Sequence, residues 1–118
     1  MEKVQVYKGE LCRVNLQWKL PVPLRSVKEY NVLVQGRDSE FYDLRGHSSV
    51  CDIHVVEDDY LRCSVDLKTF TQSPWNLREG DPLKVSVKAY TSDREYYESP
   101  INDDFYFYSM PPTETTPP

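Results

Sequence analysis

The stretch Trp75–Tyr90, WNLREGDPLKVSVKAY, decides the fold of this chain. Gly80 and Pro82 predict a sharp turn, and an alternating segment follows it. Its apolar positions are Leu83, Val85, Val87 and Ala89, and its polar positions are Lys84, Ser86 and Lys88. This period of two predicts a β-strand with one buried and one wet face. The rest of the chain must then cover the buried face.

Length and composition favour one domain built from strands. The 118 residues suffice for a single core, and Ala89 is the sole alanine, which argues against a helical bundle. Nine tyrosines favour strands, because flat rings pack well on pleated surfaces. The net charge of −5 disfavours nucleic acid or anionic lipid as a partner.

Nothing in the sequence predicts a membrane segment. No apolar run approaches the roughly 18 residues of a spanning helix. Residues 1–5 lack the apolar core of a signal peptide. This leaves two alternatives, a cytosolic protein or a mature piece of a larger one.

Similar alternation predicts further strands along the chain. The clearest is Leu11–Leu20, with Cys12, Val14, Leu16 and Trp18 on its inward face. The other predicted strands, the last of them resuming after a break at Pro100, cover residues 2–7, 27–35, 41–44, 50–56, 60–67, 84–90 and 105–108. Residues 69–76 are predicted to form an irregular crossover.

Three cysteines leave the redox compartment open, and one disulfide with one leftover thiol is the pairing to test. If the hairpin turn between residues 50–56 and 60–67 centres on Glu57, Cys51 faces Cys63 and Ile53 faces Leu61. Cβ atoms of such cross-strand pairs lie about 4.5–5.5 Å apart, near what a disulfide accepts. The spacing therefore allows a Cys51–Cys63 bridge without proving it.

The third cysteine, Cys12, is predicted to be a small buried apolar residue. The alternative is an intermolecular disulfide, which requires the first strand to leave Cys12 uncovered. His47 and His54 flank Cys51 and suggest a metal site or a Cys–His nucleophile. On a strand, however, Cys51 and His54 point to opposite faces, so an exposed His54 and a paired Cys51 are expected.

Two acidic clusters lie on predicted loops, Glu57-Asp58-Asp59 and Asn102-Asp103-Asp104. Converging carboxylates, here Glu57, Asp58, Asp59, Asp103 and Asp104, suit Ca²⁺, which takes six or more oxygen ligands. Neither cluster has the spacing of a known calcium loop, and solvated turn residues are the commoner explanation. No cofactor, catalytic residue or other metal is predicted.

The composition changes after residue 108. Residues 109–118, SMPPTETTPP, predict an extended, polyproline-like tail outside a domain of residues 1–108. As an O-glycosylated stalk it would carry glycans on Thr113, Thr115 and Thr116, whereas the alternative is an unmodified flexible end. N-glycosylation is not expected, because the sequence has no Asn-x-Ser/Thr sequon.

The motifs over about residues 10–108 resemble a fibronectin type III domain. Val14–Trp18, followed by prolines, is similar to the second strand of that family, whose buried tryptophan anchors the core. Tyr30 with its flanking valines resembles the third strand, Leu77–Ala89 the sixth and residues 96–100 the start of the last. Leu83 stands where the family usually has its corner tyrosine, so the turn is expected to rely on the backbone preferences of its glycine and proline.

A closer likeness is to fibronectin-like modules in surface proteins of single-celled eukaryotes. Those modules carry a paired cysteine before a segment of the form Cys63-x-Val65…Pro74…Leu77-x-x-Gly80. A hairpin bridged from Cys51 to Cys63 departs from the type III module and is closer to an immunoglobulin-like variation.

The resemblance implies an all-β, two-sheet antiparallel sandwich of about seven strands, of fibronectin type III or immunoglobulin-like kind. It also implies a binding or spacer module without enzymatic activity. The leading hypothesis is an extracellular structural or adhesion module, for example a repeating subunit of a surface fibre. Its partners would be proteins, either further copies of itself or neighbouring domains. The alternative is a receptor-type ligand-binding domain with tyrosine-rich loops such as Glu95–Glu98, although a Trp-Ser-x-Trp-Ser motif is absent.

Overall fold

A computed structural model describes residues 1–10, 12–44, 51, 53–57 and 60–107. Short 3-10 turns occur at Leu24–Ser26 and Leu67–Thr71. The described residues form nine strands: β1 Gln5–Lys8, β2 Arg13–Lys19, β3 Glu29–Gln35, β4 Phe41–Asp43, β5 His54–Glu57, β6 Tyr60–Asp66, β7 Pro82–Tyr90, β8 Tyr96–Glu98 and β9 Asn102–Tyr106. They exceed the predicted seven partly because the final strand is split into β8 and β9.

The strands form two antiparallel sheets, which confirms the predicted all-β class. The first sheet has the order β1-β2-β6-β5. The second has the order β4-β3-β7-β8, and β9 also pairs with β7. Buried side chains of both sheets form one cluster, among them Leu16 and Trp18 of β2 and Val32 and Val85 of β3 and β7. Each sheet therefore buries one face against the other.

The predicted alternation of β7 fails at one position. Ser86 was expected on the wet face, but only 2% of its surface is exposed. Its hydroxyl donates to the Ser99 carbonyl at 3.0 Å, and the Val87 amide donates to the Ser99 hydroxyl at 2.9 Å. Ser86 is buried because Ser99, in the segment that links β8 to β9, lies against it.

The turn before β7 is held by more than its glycine and proline, so the expectation of backbone preference alone is wrong. Gly80 adopts a φ of +87°, which favours glycine. Its amide donates to the Phe107 carbonyl at 2.8 Å, and the Phe107 amide donates to the Asp81 carbonyl at 2.7 Å. The Asp81 carboxylate accepts from the Arg78 amide at 2.8 Å and from the Arg37 guanidinium at 3.1 Å. Asp81 and Phe107 thus hold the turn together with Gly80.

The crossover before this turn is fixed by Trp75, which is buried. Its indole nitrogen donates to the Val34 carbonyl at 3.0 Å, and its ring meets Phe70 edge-on at 5.7 Å. A Cβ atom added at the buried Gly36 would lie 3.1 Å from the Pro74 carbonyl oxygen. The crossover and the β3–β4 turn therefore pack so closely that a larger residue at that position would require the neighbouring backbone to shift.

The N-terminal segment ties the two sheets together. The Val4 side chain is fully buried in the core just before β1 in the first sheet. Its carbonyl accepts a hydrogen bond from the buried Asn102 amide of β9, in the second sheet, at 2.7 Å. Lys3 and Asp104 form an exposed ion pair beside it at 3.3 Å.

The hairpin formed by β5 and β6 carries the predicted disulfide, but its register differs. Cys51 is bonded to Cys63, with their Cα atoms 5.3 Å apart. Leu61 pairs with Val55, so the expectation that it faces Ile53 is wrong. The reason is that Glu57 is not in the turn: it pairs with Tyr60 inside the ladder, next to a β-bulge. Cys51 therefore lies before β5 and reaches the core from outside the ladder.

Candidate interaction surface

Two of the three cysteines form a disulfide and the third is a free thiol. Cys51 and Cys63 are 6% and 0% exposed, so their disulfide is part of the core. Cys12 is free and half-buried, and it occupies the turn before β2 rather than the strand itself. Its carbonyl accepts from the Leu67 amide at 2.8 Å, which anchors this turn. An intermolecular bridge through Cys12 stays a prediction.

The predicted metal-binding residues that the structure describes do not converge. His54 is exposed on β5, while Cys51 is consumed by the disulfide. Glu57 lies in the first sheet and Asp103 in the second, and Asp104 pairs with Lys3. Among the described residues, no group of three or more His, Cys, Asp or Glu side chains could hold a metal ion. His47, Asp58, Asp59, Thr113, Thr115 and Thr116 lie outside the described residues, and their calcium and glycan assignments stay predictions.

Two titratable groups with shifted pKa values lie at the β3–β4 turn. The Tyr42 hydroxyl donates to the Asp38 carboxylate. This hydrogen bond, aided by the Glu40 amide, holds the pKa of Asp38 below its ordinary value. The same bond raises the pKa of Tyr42, because it favours the protonated phenol. Asp38 is exposed and Tyr42 packs partly against the core, so their hydrogen bond ties the turn to β4.

Three tyrosines lie where β7 ends and β8 begins; we call Tyr90, Tyr96 and Tyr97 the tyrosine surface. Tyr90 and Tyr96 share one face of the sheet, and Tyr97, opposite the buried Ala89, projects at the edge from the other face. Tyr96 and Tyr97 belong to β8, so the expectation of a loop at Glu95–Glu98 is wrong, whereas the expected strand start at residues 96–100 agrees with the structure. Tyr96 pairs in register with Tyr90, and their ring centroids are 5.0 Å apart. The Lys88 ammonium lies 4.9 Å from the centroid of the Tyr96 ring, a cation–π contact that orients it.

Two connecting segments meet beside the tyrosine surface. Lys28, just before β3, donates its amide hydrogen to the Tyr90 carbonyl at 2.7 Å. Its ammonium lies 4.0 Å from the Asp93 carboxylate in the β7–β8 connection. Shallow depressions therefore flank the tyrosine pair, one lined by Lys28, Glu29, Asn31, Tyr90, Ser92 and Asp93, and the other by Thr91, Arg94, Glu95, Tyr96 and Tyr97.

This arrangement suits contact with another protein. Tyr96 and Tyr97 are 45% and 41% exposed, yet Lys88 and Tyr90 restrain the Tyr96 ring. Restrained tyrosines supply large contact areas at low entropic cost and keep a hydroxyl for hydrogen bonding. The sequence indicated Tyr96 and Tyr97 but not Lys28 or Tyr90, because their proximity depends on pairing between distant strands.

Comparisons with protein-family models, with curated proteins and with solved structures find no match to this chain. The two-sheet architecture accordingly rests on the strand pairing itself. Within the described part of the chain, no helix has the length and apolar character needed to cross a membrane.

Proposed function

We propose that this chain is a non-enzymatic extracellular adhesion or structural module of the fibronectin type III or immunoglobulin-like kind. It contacts other proteins through the tyrosine surface. The observation that carries the proposal is the exposure of Tyr96 and Tyr97 on an edge strand, where Lys88 and Tyr90 hold the Tyr96 ring in place. Binding through side chains that are already restrained in the free protein loses little conformational entropy.

The topology supports this family assignment. When the strands are lettered in the order of the chain, the sheet β1-β2-β6-β5 corresponds to the A-B-E-D sheet of immunoglobulin-like sandwiches. The order β4-β3-β7-β8 corresponds to C-F-G with one added edge strand. The buried Trp18 on β2 is consistent with the fibronectin type III resemblance. The Cys51–Cys63 disulfide supports an oxidising, extracellular setting.

Bead aggregation tests the adhesive contact. The beads are coated with a Val56→Lys chain, which keeps the exposed β5 edge out of the contact. They should clump, and adding the double change Tyr96→Ser/Tyr97→Ser should abolish clumping because the exposed rings are removed. Adding Tyr7→Ser on β1, where Tyr7 is 36% exposed, is the matched control and should leave clumping unchanged. Equal clumping by the double variant would show that the tyrosine surface does not make the contact.

The second candidate is a receptor-type ligand-binding domain. The meeting of the β2–β3 and β7–β8 connections favours it, because in variable immunoglobulin domains the corresponding loops bind antigen. Wild-type beads that stay dispersed, together with a monomeric chain in solution, would reject self-adhesion and favour this candidate.

A further inference from the structure

We propose that β5 is a dimerisation edge: it pairs antiparallel with β5 of a second copy and joins the two first sheets into one. This inference deepens the structural form of the proposed function by naming a self-association contact. It does not use the tyrosine surface, so the two contacts can fail separately.

The strand β5 is the edge of the first sheet, with β6 as its neighbour in the described chain. All four of its residues are exposed, including Val55 at 53% and Val56 at 37%. Exposed apolar edge strands offer unpaired backbone groups to another strand, and natural proteins usually blunt them with lysine or proline. This edge carries neither residue; it is four residues long, ends in Glu57 and contains a β-bulge, which confines pairing to a short contact around Val55 and Val56.

The sequence of β5 is complementary to itself in an antiparallel arrangement. A two-fold axis between Val55 and Val56 places each valine opposite the other valine of the second copy. The same axis places His54 opposite Glu57 at both ends. Such an isologous contact closes after two copies. It also carries an imidazole–carboxylate pair twice, and the imidazole can donate a hydrogen bond in either charge state.

The β-bulge makes these pairs geometrically compatible. In a regular strand, residues three apart point to opposite faces. The bulge between Val55 and Glu57 changes this, so that His54 lies opposite Arg62 and Glu57 lies opposite Tyr60. Arg62 and Tyr60 alternate with the buried Leu61 and so belong to the outer face. His54 and Glu57 therefore share that face and can meet their counterparts across the axis.

The charge of Arg62 favours the same partner. Its Nε donates to the Gln17 amide oxygen at 3.2 Å, and it forms no ion pair with another described residue. Glu57 of the second copy would lie in the same cross-strand row as His54 and Arg62. In the dimer this row would hold a carboxylate beside the Arg62 cation. Among the described residues of the monomer, the row holds no carboxylate beside that cation.

The disulfide prepares β5 for this contact. Cys51 precedes His54 by three positions and is bonded to the fully buried Cys63 of β6. This covalent link holds the start of the edge strand to the sheet in the free chain. A strand that is already in place loses less conformational entropy on pairing than a loose segment does.

Sedimentation velocity of the full chain over a concentration series tests the proposal. The wild type should form a weak dimer, as expected of a small interface. Val56→Lys should abolish it by placing a charge at the centre of the edge. Leu24→Lys is the control, because Leu24 is also exposed but lies outside β5, and it should dimerise normally.

A charge exchange identifies the register. His54→Glu should weaken dimerisation about tenfold, because each dimer then contains two like-charge pairs. The double variant His54→Glu/Glu57→His exchanges the partners and should recover wild-type dimerisation. Hydrogen exchange should slow only in dimeric samples at those β5 amides that point away from β6.

Three results would overturn the proposal: a wild type that is monomeric at every concentration, a Val56→Lys dimer as stable as the wild type, or no recovery in the exchanged variant. Tyr96→Ser/Tyr97→Ser should leave this dimer intact. A failure of the adhesive contact and a failure of β5 pairing are therefore distinguishable.

Discussion

Reduction of the Cys51–Cys63 disulfide removes a constraint from the unfolded chain, and the structure sets its size. The two cysteines are separated by 12 positions. A loop of that length loses about 9–10 cal/mol/K of entropy on closure, so reduction should lower the free energy of unfolding by about 3 kcal/mol at 25 °C. For 118 residues the unfolding entropy is roughly 250 cal/mol/K. The melting temperature should therefore fall by about 11 °C.

Urea unfolding at 25 °C, with and without reductant, measures this change. A Cys12→Ser background removes the free thiol, and the two buried tryptophans, Trp18 and Trp75, report unfolding by fluorescence. Before reduction, thiol titration of the denatured wild type should find one thiol. A loss below about 1 kcal/mol on reduction would refute the loop-closure reasoning. Three titratable thiols would refute the disulfide itself.

Four further substitutions test three of the hydrogen-bonded sites and one exposed ion pair described above. Asp81→Ala should destabilise the chain to urea by about 1–2 kcal/mol, because its carboxylate accepts a backbone amide and a guanidinium. Asp93→Ala, which breaks only an exposed ion pair, should cost under about 0.5 kcal/mol, and equal losses would contradict this. Asn102→Ala should cost about 1–3 kcal/mol and accelerate amide exchange in β1, because a buried carbonyl loses its donor; unchanged exchange would count against the link. Tyr42→Phe should raise the pKa of Asp38 in an NMR titration, because the bond that favours its carboxylate is lost. In the wild type, the stability supplied by this bond should be present above the unfolded pKa of about 3.9 and disappear as the pH falls through the lower folded value.

The alternation of apolar and polar residues predicted the strands that bury only one face. In β2, Val14, Leu16 and Trp18 are buried as predicted, because that period needs no knowledge of distant residues. The burial of Ser86 depends on Ser99, which lies 13 positions away. Side-chain alternation carries no information about such a contact.

The tyrosine surface, like the strands, was predictable only in part. Composition indicated Tyr96 and Tyr97, since clustered tyrosines favour binding surfaces. It could not place Lys28 beside Tyr90, because that contact requires β3 and β7 to be neighbours. The hairpin register was missed because a bulge changes which residues face each other without altering the alternation of the sequence.

The hydrogen bond from Asn102 to Val4 has a mechanical consequence. Since β1 belongs to one sheet and β9 to the other, a force that pulls the first and last strands apart loads this bond and the neighbouring Lys3–Asp104 pair. Heat or urea act on all contacts at once, whereas tension concentrates on the Asn102–Val4 bond and the Lys3–Asp104 pair. We therefore expect the Asn102–Val4 bond, the Lys3–Asp104 pair and the β1–β2 ladder together to set how much tension the domain withstands before its first strand detaches.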